Sequence, residues 1–240
     1  MNLMKTAAMA CVCVLFMQSS VLAADAQYYT GEKIKGYAKG NFVVLDGDDI
    51  NFRQSAENGA VLKVLPHHSL LRVEKQDGDW LQAESDGVEG YIYAPFTGAG
   101  TKDELTPEDF ALGYAALGQR FDEQQAGEKL GKIYKMIGDK KTKFASYTYK
   151  YAVIKTTKQQ ITSICIFDPQ YITMRGVSVG DSAGRAVGQY GLPDAVAYKN
   201  GFTFYEYFLQ DDKKQTLRFA IGVDKDSRVV EFILEKVAKK

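Results

Sequence analysis

Apolar and polar residues alternate in short runs along the first part of the chain. Phe42-Val43-Val44-Leu45, Ile50-Asn51-Phe52-Arg53 and further runs at 60–65, 70–74, 80–83 and 89–93 carry the period of two that half-buried strands show. Asp46-Gly47-Asp48, Asn58-Gly59, Asp77-Gly78-Asp79 and Asp86-Gly87 separate them. Such pairs favour turns because Gly and Asn tolerate positive φ. Short strands at this spacing predict a small all-β barrel or sandwich over 41–97.

After a Gly-, Thr- and Lys-containing linker at 98–110, the pattern changes. Thr106-Pro107-Glu108-Asp109 reads as a helix start, with Thr as cap, Pro at the first helical position and acids at the positive end. Helical character with interruptions is expected to about Met136, and strands at 144–156 and 161–167. Asp181-Ser182 caps a second helix, in which Ala183, Ala186, Val187 and Tyr190 fall at i, i+3, i+4 and i+7. Gly191 ends it and Pro193 prevents its continuation. Strands are expected at 202–209, 216–223 and 228–234.

These two cycles, 111–172 and 173–240, read as related units. "GEKLGKIYK" parallels "AVGQYGLPD", and "YTYKYAV" parallels "FTFYEYF". The fold class expected is an all-β small barrel followed by an α+β region of short helices packed on antiparallel meander sheets.

Composition adds a compartment. The chain has 240 residues, 45% apolar and 25% charged, enough to bury a core. Lys+Arg and Asp+Glu are each 30, which gives no reason to expect nucleic acid or an anionic membrane as partner. Residues 1–24 read as a secretory signal peptide: Lys5 is its positive region, an apolar run follows from Ala7, and Val21 and Ala23 are small residues before the cleavage site. Residues 25–40 read as a linker. Signal removal leaves Cys165 alone, so no intramolecular disulfide is expected, and no later segment is apolar enough for a transmembrane anchor. The chain is therefore expected outside the cytoplasm, in a periplasm or at the cell surface.

Several residues of the first region carry a family pattern. Asn51 and Arg53, the Val61–Leu65 run, Leu71-Arg72-Val73, Asp79-Trp80-Leu81 and Gly90-Tyr91-Ile92 together resemble bacterial SH3-like (SH3b) domains. The resemblance implies a small barrel whose ligand is a peptidoglycan peptide or another wall component. It makes Arg53, Trp80, Tyr91 and Tyr93 the candidate binding residues. In the second region "MRGVSVGDSAGRAVGQYGLPD" and the strands after it resemble the tandem units of β-lactamase-inhibitor-like and outer-membrane-assembly-lipoprotein (SmpA/OmlA-type) proteins. That resemblance implies contact with another protein.

Catalytic patterns are weak. Wall peptidases of the Cys-His type need a His after the Cys, but the two histidines, His67 and His68, precede Cys165. Cys165 reads as a buried structural cysteine. His67-His68 has no third ligand at metal spacing and reads as a turn after Pro66. Asp46–Asp49 and Asp224-Lys225-Asp226 lack the full calcium-loop pattern and read as turns. Neither Gly176–Ser182 nor Gly98–Gly100 makes a phosphate loop. The six lysines over 140–158 read as a solvated face. Tyr147, Tyr149 and Tyr151 alternate and are expected on one face of a strand. Trp80 has two readings, a groove residue or a core plug.

The sequence thus predicts an exported, non-catalytic envelope protein without cofactor or metal. Its partner is a cell-wall peptide or an envelope protein. The alternative to wall binding is an inhibitor or assembly factor acting through the tandem units.

Overall fold

A computed structural model describes residues 26–29, 36–113, 115–141, 143–211 and 214–237. The expected signal peptide, 1–24, lies outside the described residues. The described chain is mostly strand, with two α-helices of eight residues each.

Seven strands form the first sheet: β1 (Phe42–Leu45), β2 (Ile50–Arg53), β3 (Val61–Leu65), β4 (Leu70–Asp77), β5 (Trp80–Ser85), β6 (Val88–Tyr93) and β7 (Thr97–Gly98). Their order is β3-β2-β6-β5-β4-β1-β7, and each pairing is antiparallel. The sheet wraps one apolar core of Val43, Leu45, Phe52, Leu65, Leu71, Val73, Leu81, Ala83, Ile92 and Ala94. All six expected strands are present, because the alternation fixes which side chains turn inward. The turns fall where Gly78 and Gly87 take positive φ.

The helix expected to run from Thr106 is a short 3-10 turn, Pro107–Phe110, in which Asp109 Oδ2 accepts from the Thr106 N–H at 2.9 Å. Two-residue strands β8 (Ala111–Leu112) and β9 (Ala115–Ala116) follow, and α1 is confined to Glu123–Leu130. Gly113 and Gly118, both at positive φ, break the helix that the sequence pattern extends through them. Gly131, φ 80°, ends α1.

Two four-stranded meanders complete the fold. The first is β10 (Lys135–Asp139), β11 (Phe144–Thr148), β12 (Ala152–Thr157) and β13 (Gln160–Ile166). After α2 (Ala183–Tyr190) come β14 (Ala195–Lys199), β15 (Phe202–Gln210), β16 (Thr216–Val223) and β17 (Val229–Lys236). Each half therefore has one helix followed by four strands, where two were expected in the first half and three in the second. They join where β13 pairs antiparallel with β17, giving the order β10-β11-β12-β13-β17-β16-β15-β14. The two halves thus run in mirror order away from a shared seam.

The strand expected over 144–156 is a hairpin. Tyr149 N–H donates to Ala152 O at 2.8 Å and turns the chain between β11 and β12. The three alternating tyrosines consequently part company. Tyr147 packs on Phe121 at 4.3 Å, Tyr149 is core at 2% exposure, and Tyr151 stands 37% exposed beneath Lys150.

One face of the large sheet holds Ile154, Ile164, Phe232, Leu234, Phe219, Ile221, Tyr205 and Tyr207, and it packs on α2 and the 3-10 turn. Helix α2 forms as its sequence predicts. Ser182 Oγ accepts from the Arg185 N–H at 3.1 Å, Gly191 caps the end at φ 70°, and the four periodic residues are buried.

The first sheet is fixed to the second. An added Cβ on Gly184 of α2 would lie 2.1 Å from His67 O, so the helix lies directly against the 66–69 loop. Leu192 N–H donates to Thr101 O at 2.9 Å, Lys102 pairs with Asp194, and Tyr28 OH donates to Pro193 O at 2.7 Å. Segments expected as linkers, at 25–40 and 98–110, therefore contribute packed residues.

Candidate functional site

The register of β5 and β6 sorts their side chains into two sets. Leu81, Ala83 and Ile92 turn into the core. Trp80, Gln82 and Glu84 on β5, and Glu89, Tyr91 and Tyr93 on β6, turn outward. Trp80 lies opposite Tyr93, Gln82 opposite Tyr91 and Glu84 opposite Glu89. Tyr91 also lies opposite Arg53 of β2. That crossing needs Gly90: a Cβ there would meet Arg53 O at 2.7 Å and the Phe52 ring at 2.7 Å.

All four candidate residues thus share one outer face. Trp80 is half-buried and absent from the core, which decides against the plug reading. It meets Tyr93 edge-on at 5.6 Å, and Tyr93 meets Phe96 edge-on at 5.5 Å. Phe96 is 41% exposed. Arg53 Nη1 donates to Gly59 O at 2.9 Å, which holds the guanidinium beside the row. Edge-on, half-exposed rings present apolar area at low entropic cost, with a cation at one side. Phe96 was not foreseen, because its position beyond the β6 alternation gives it no periodic signal. The signal for Trp80 was present, since it shares phase with Gln82 and Glu84 and not with Leu81.

Along the same two strands the face changes from aromatic to charged and reaches the junction with the large sheet. Lys63 Nζ donates there to Ser85 O at 2.9 Å and to Ser227 Oγ at 2.8 Å. Tyr205 OH donates to Asp86 Oδ1 at 2.8 Å. Burial raises the Asp86 carboxyl above its ordinary range, against the pull of Lys63 and the hydrogen bonds from Ser227 and Tyr205. Burial likewise lowers Lys63, opposed by Asp86 and neighbouring acids. Beside this cluster opens a cleft of about 380 Å³.

The other candidates have structural roles. Cys165 is buried, 4% exposed, with Sγ 3.2 Å from Glu231 Oε2. Burial raises Glu231 to about 7. His67 and His68 occupy a turn, where His68 takes φ 62°, and their rings stack nearly parallel at 3.9 Å. Among the described residues no three His, Cys, Asp or Glu side chains are grouped to hold a metal. Asp224 Oδ1 accepts from the Asp226 and Arg228 N–H groups at 2.9 Å each, a turn of the kind expected. Among the described residues no helix is long and apolar enough to cross a membrane.

No protein-family model matches the chain, and no curated protein matches it. Similar solved structures include an extracellular protein containing an SCP domain from Bacillus anthracis, 9% identical at TM-score 0.35, covering 56% of this chain and 49% of that one. A cysteine-rich secretory protein from Staphylococcus aureus is 13% identical at TM-score 0.33, covering 50% and 44%. The C-terminal domain of TagH is 9% identical at TM-score 0.22, covering 86% and 99%. The chain spans about half the length of the first two.

Proposed function

We propose that this protein is an exported, non-catalytic envelope protein. In this reading its N-terminal sheet is an SH3-like barrel that binds a peptidoglycan peptide or another wall component. One observation carries it: Trp80, Tyr91, Tyr93 and Phe96 form a half-exposed row on one face beside Arg53, outside the core. A row of rings flanked by a guanidinium suits an extended peptide with apolar side chains and a carboxylate. The test is sedimentation of the full protein with purified peptidoglycan sacculi, beside Trp80→Ala/Tyr91→Ala. Co-sedimentation that the folded variant loses supports the reading. Equal sedimentation of the variant removes the row from the account.

A second reading, protein–protein contact through the tandem units, has an observation of its own. Strand β10 is an edge strand exposed along its whole length, with Met136 at 59% and Ile137 at 41%, and Tyr134 beside it at 67%. An exposed apolar edge is a template for strand addition by a partner. Binding to an envelope protein that Ile137→Lys abolishes, with wall binding absent, would favour this reading.

A further inference from the structure

The cleft at the junction has a chemistry of its own. One wall is the first sheet, through Phe42, Leu70, Arg72, Glu84, Glu89 and the Asp86-Gly87 turn. The other is the β14–β15 edge of the large sheet, through Val196, Tyr198, Thr203 and Tyr205.

Charge in the cleft is unbalanced. Three carboxyl groups and one guanidinium line it, but Asp86 faces Lys63, and Glu84 bonds Arg72, which also pairs with Glu74 at 3.3 Å, so the carboxylate left without an ion pair among the described residues is Glu89. Glu84 and Glu89 stand directly opposite in the β5–β6 register, where like charges repel. Glu89 is exposed at the mouth. Thr203 provides an independent sign. Its side chain lines the cleft, it is 5% exposed, and its Oγ1 has no hydrogen-bond partner among the described residues. A buried hydroxyl left without a partner loses free energy that a ligand donor would restore. Tyr198, 63% exposed, rests over Gly87, where a Cβ would come within 2.9 Å of its ring, and it offers an aromatic face to a cation. Phe42, Leu70 and Val196 supply apolar wall.

We infer that this cleft binds a primary ammonium group on an alkyl stem. The stem would lie on Phe42, Leu70 and Val196. The ammonium would donate to Thr203 Oγ1 and to the Glu84–Glu89 pair beside the Tyr198 ring. Two sources share that chemistry, a lysine-type side chain of a peptide and a free linear diamine. The inference needs only the cleft and stands apart from the wall reading.

The experiment is calorimetric titration of the full protein with Nα-acetyl-lysine amide and with 1,5-diaminopentane. The Nε-acetylated lysine amide is the uncharged control, and amide shifts of Gly87, Tyr198 and Thr203 report the location. Binding by either amine that moves those amides and vanishes on Nε-acetylation supports the inference, and the tighter ligand identifies the source. Glu89→Gln and Thr203→Val each weaken it by about ten-fold, the scale of one lost hydrogen bond to a charged group. Glu128→Gln, on α1, leaves it unchanged. No heat and no cleft shifts at millimolar amine would overturn the inference. So would affinity unchanged in both cleft variants. Sacculus binding lost while amine binding persists would reject the wall reading and leave the cleft standing.

Discussion

Two glycines, one in each helix, set up a test of whether the first sheet and α2 form one body. Gly184 and Gly127 both lie inside eight-residue helices, where Ala is ordinarily favoured over Gly by about 0.5–1 kcal/mol. Their surroundings differ. A Cβ on Gly127 meets nothing within 4 Å. One on Gly184 meets His67 O at 2.1 Å and Ser69 N at 3.1 Å. Those are backbone atoms, and the loop bearing them is tied to β1. His68 N–H donates to Leu45 O at 3.0 Å, and Leu45 N–H donates to Ser69 O at 2.9 Å. Relief therefore requires α2 to move off the first sheet, an overpacking cost of about 1–3 kcal/mol. For a domain of this size 1 kcal/mol shifts Tm by roughly 2–4 °C. Net of the helix gain of about 0.5–1 kcal/mol, Gly184→Ala should lower Tm by about 2–6 °C at the middle of that range, while Gly127→Ala should hold or raise it. Calorimetric melts of the three proteins read both signs. A Gly184→Ala protein melting at or above the parent would refute the close approach, and with it the rigid junction.

Tyr205→Phe strips a donor from the buried Asp86 carboxyl and should cost about 1–3 kcal/mol in urea unfolding. Because the Asp86 pKa is raised in the folded state, the stability it contributes is fully present below its unfolded value of 3.8 and is lost as pH rises through the folded value. The stability difference between parent and Asp86→Asn should therefore shift toward the variant as pH climbs from 3.8, and a difference independent of pH would contradict the assignment. Arg175 bonds Asp109 through Nε and Nη2 at 2.7 Å each and lies 5.2 Å from the Tyr190 ring centre. Arg175→Ala leaves Asp109 buried without its partner and should cost about 3 kcal/mol or more by denaturant titration.

Sequence patterns were most legible where a single period dominates. The six strands of the first region follow from strict alternation between Asx-Gly turns. Helix α2 follows from its cap, its apolar face and Gly191. Strand β10 has no sequence signal, because Lys-Met-Ile-Gly-Asp is exposed at every position and burial imposes no period on it; the helical pattern expected to about Met136 overlaps its first two residues. The β11–β12 hairpin was missed because Tyr149-Lys150-Tyr151 turns without Gly, Asn or Pro and continues the alternation on paper. Strand β14 was missed because its five residues follow Pro193 with no breaker to frame them before Asn200-Gly201. The junction has no sequence signature. Lys63 and Ser227, which meet there, lie 164 positions apart, a separation that no local pattern spans. The outer aromatic face is half legible: alternation along β5 puts Trp80 in phase with Gln82 and Glu84, but which rings meet depends on the β5–β6 register and on Phe96 beyond it.

Trp80 is the chain's single tryptophan, so its emission reports the aromatic row directly. The most direct measurement titrates the full protein with soluble peptide fragments released from purified peptidoglycan while following that emission. A saturable change, weakened or abolished in Tyr93→Ala with the melting curve preserved, is the result predicted. Emission that stays flat up to millimolar fragment, in a protein that melts as one folded unit, would contradict wall-component binding at this face.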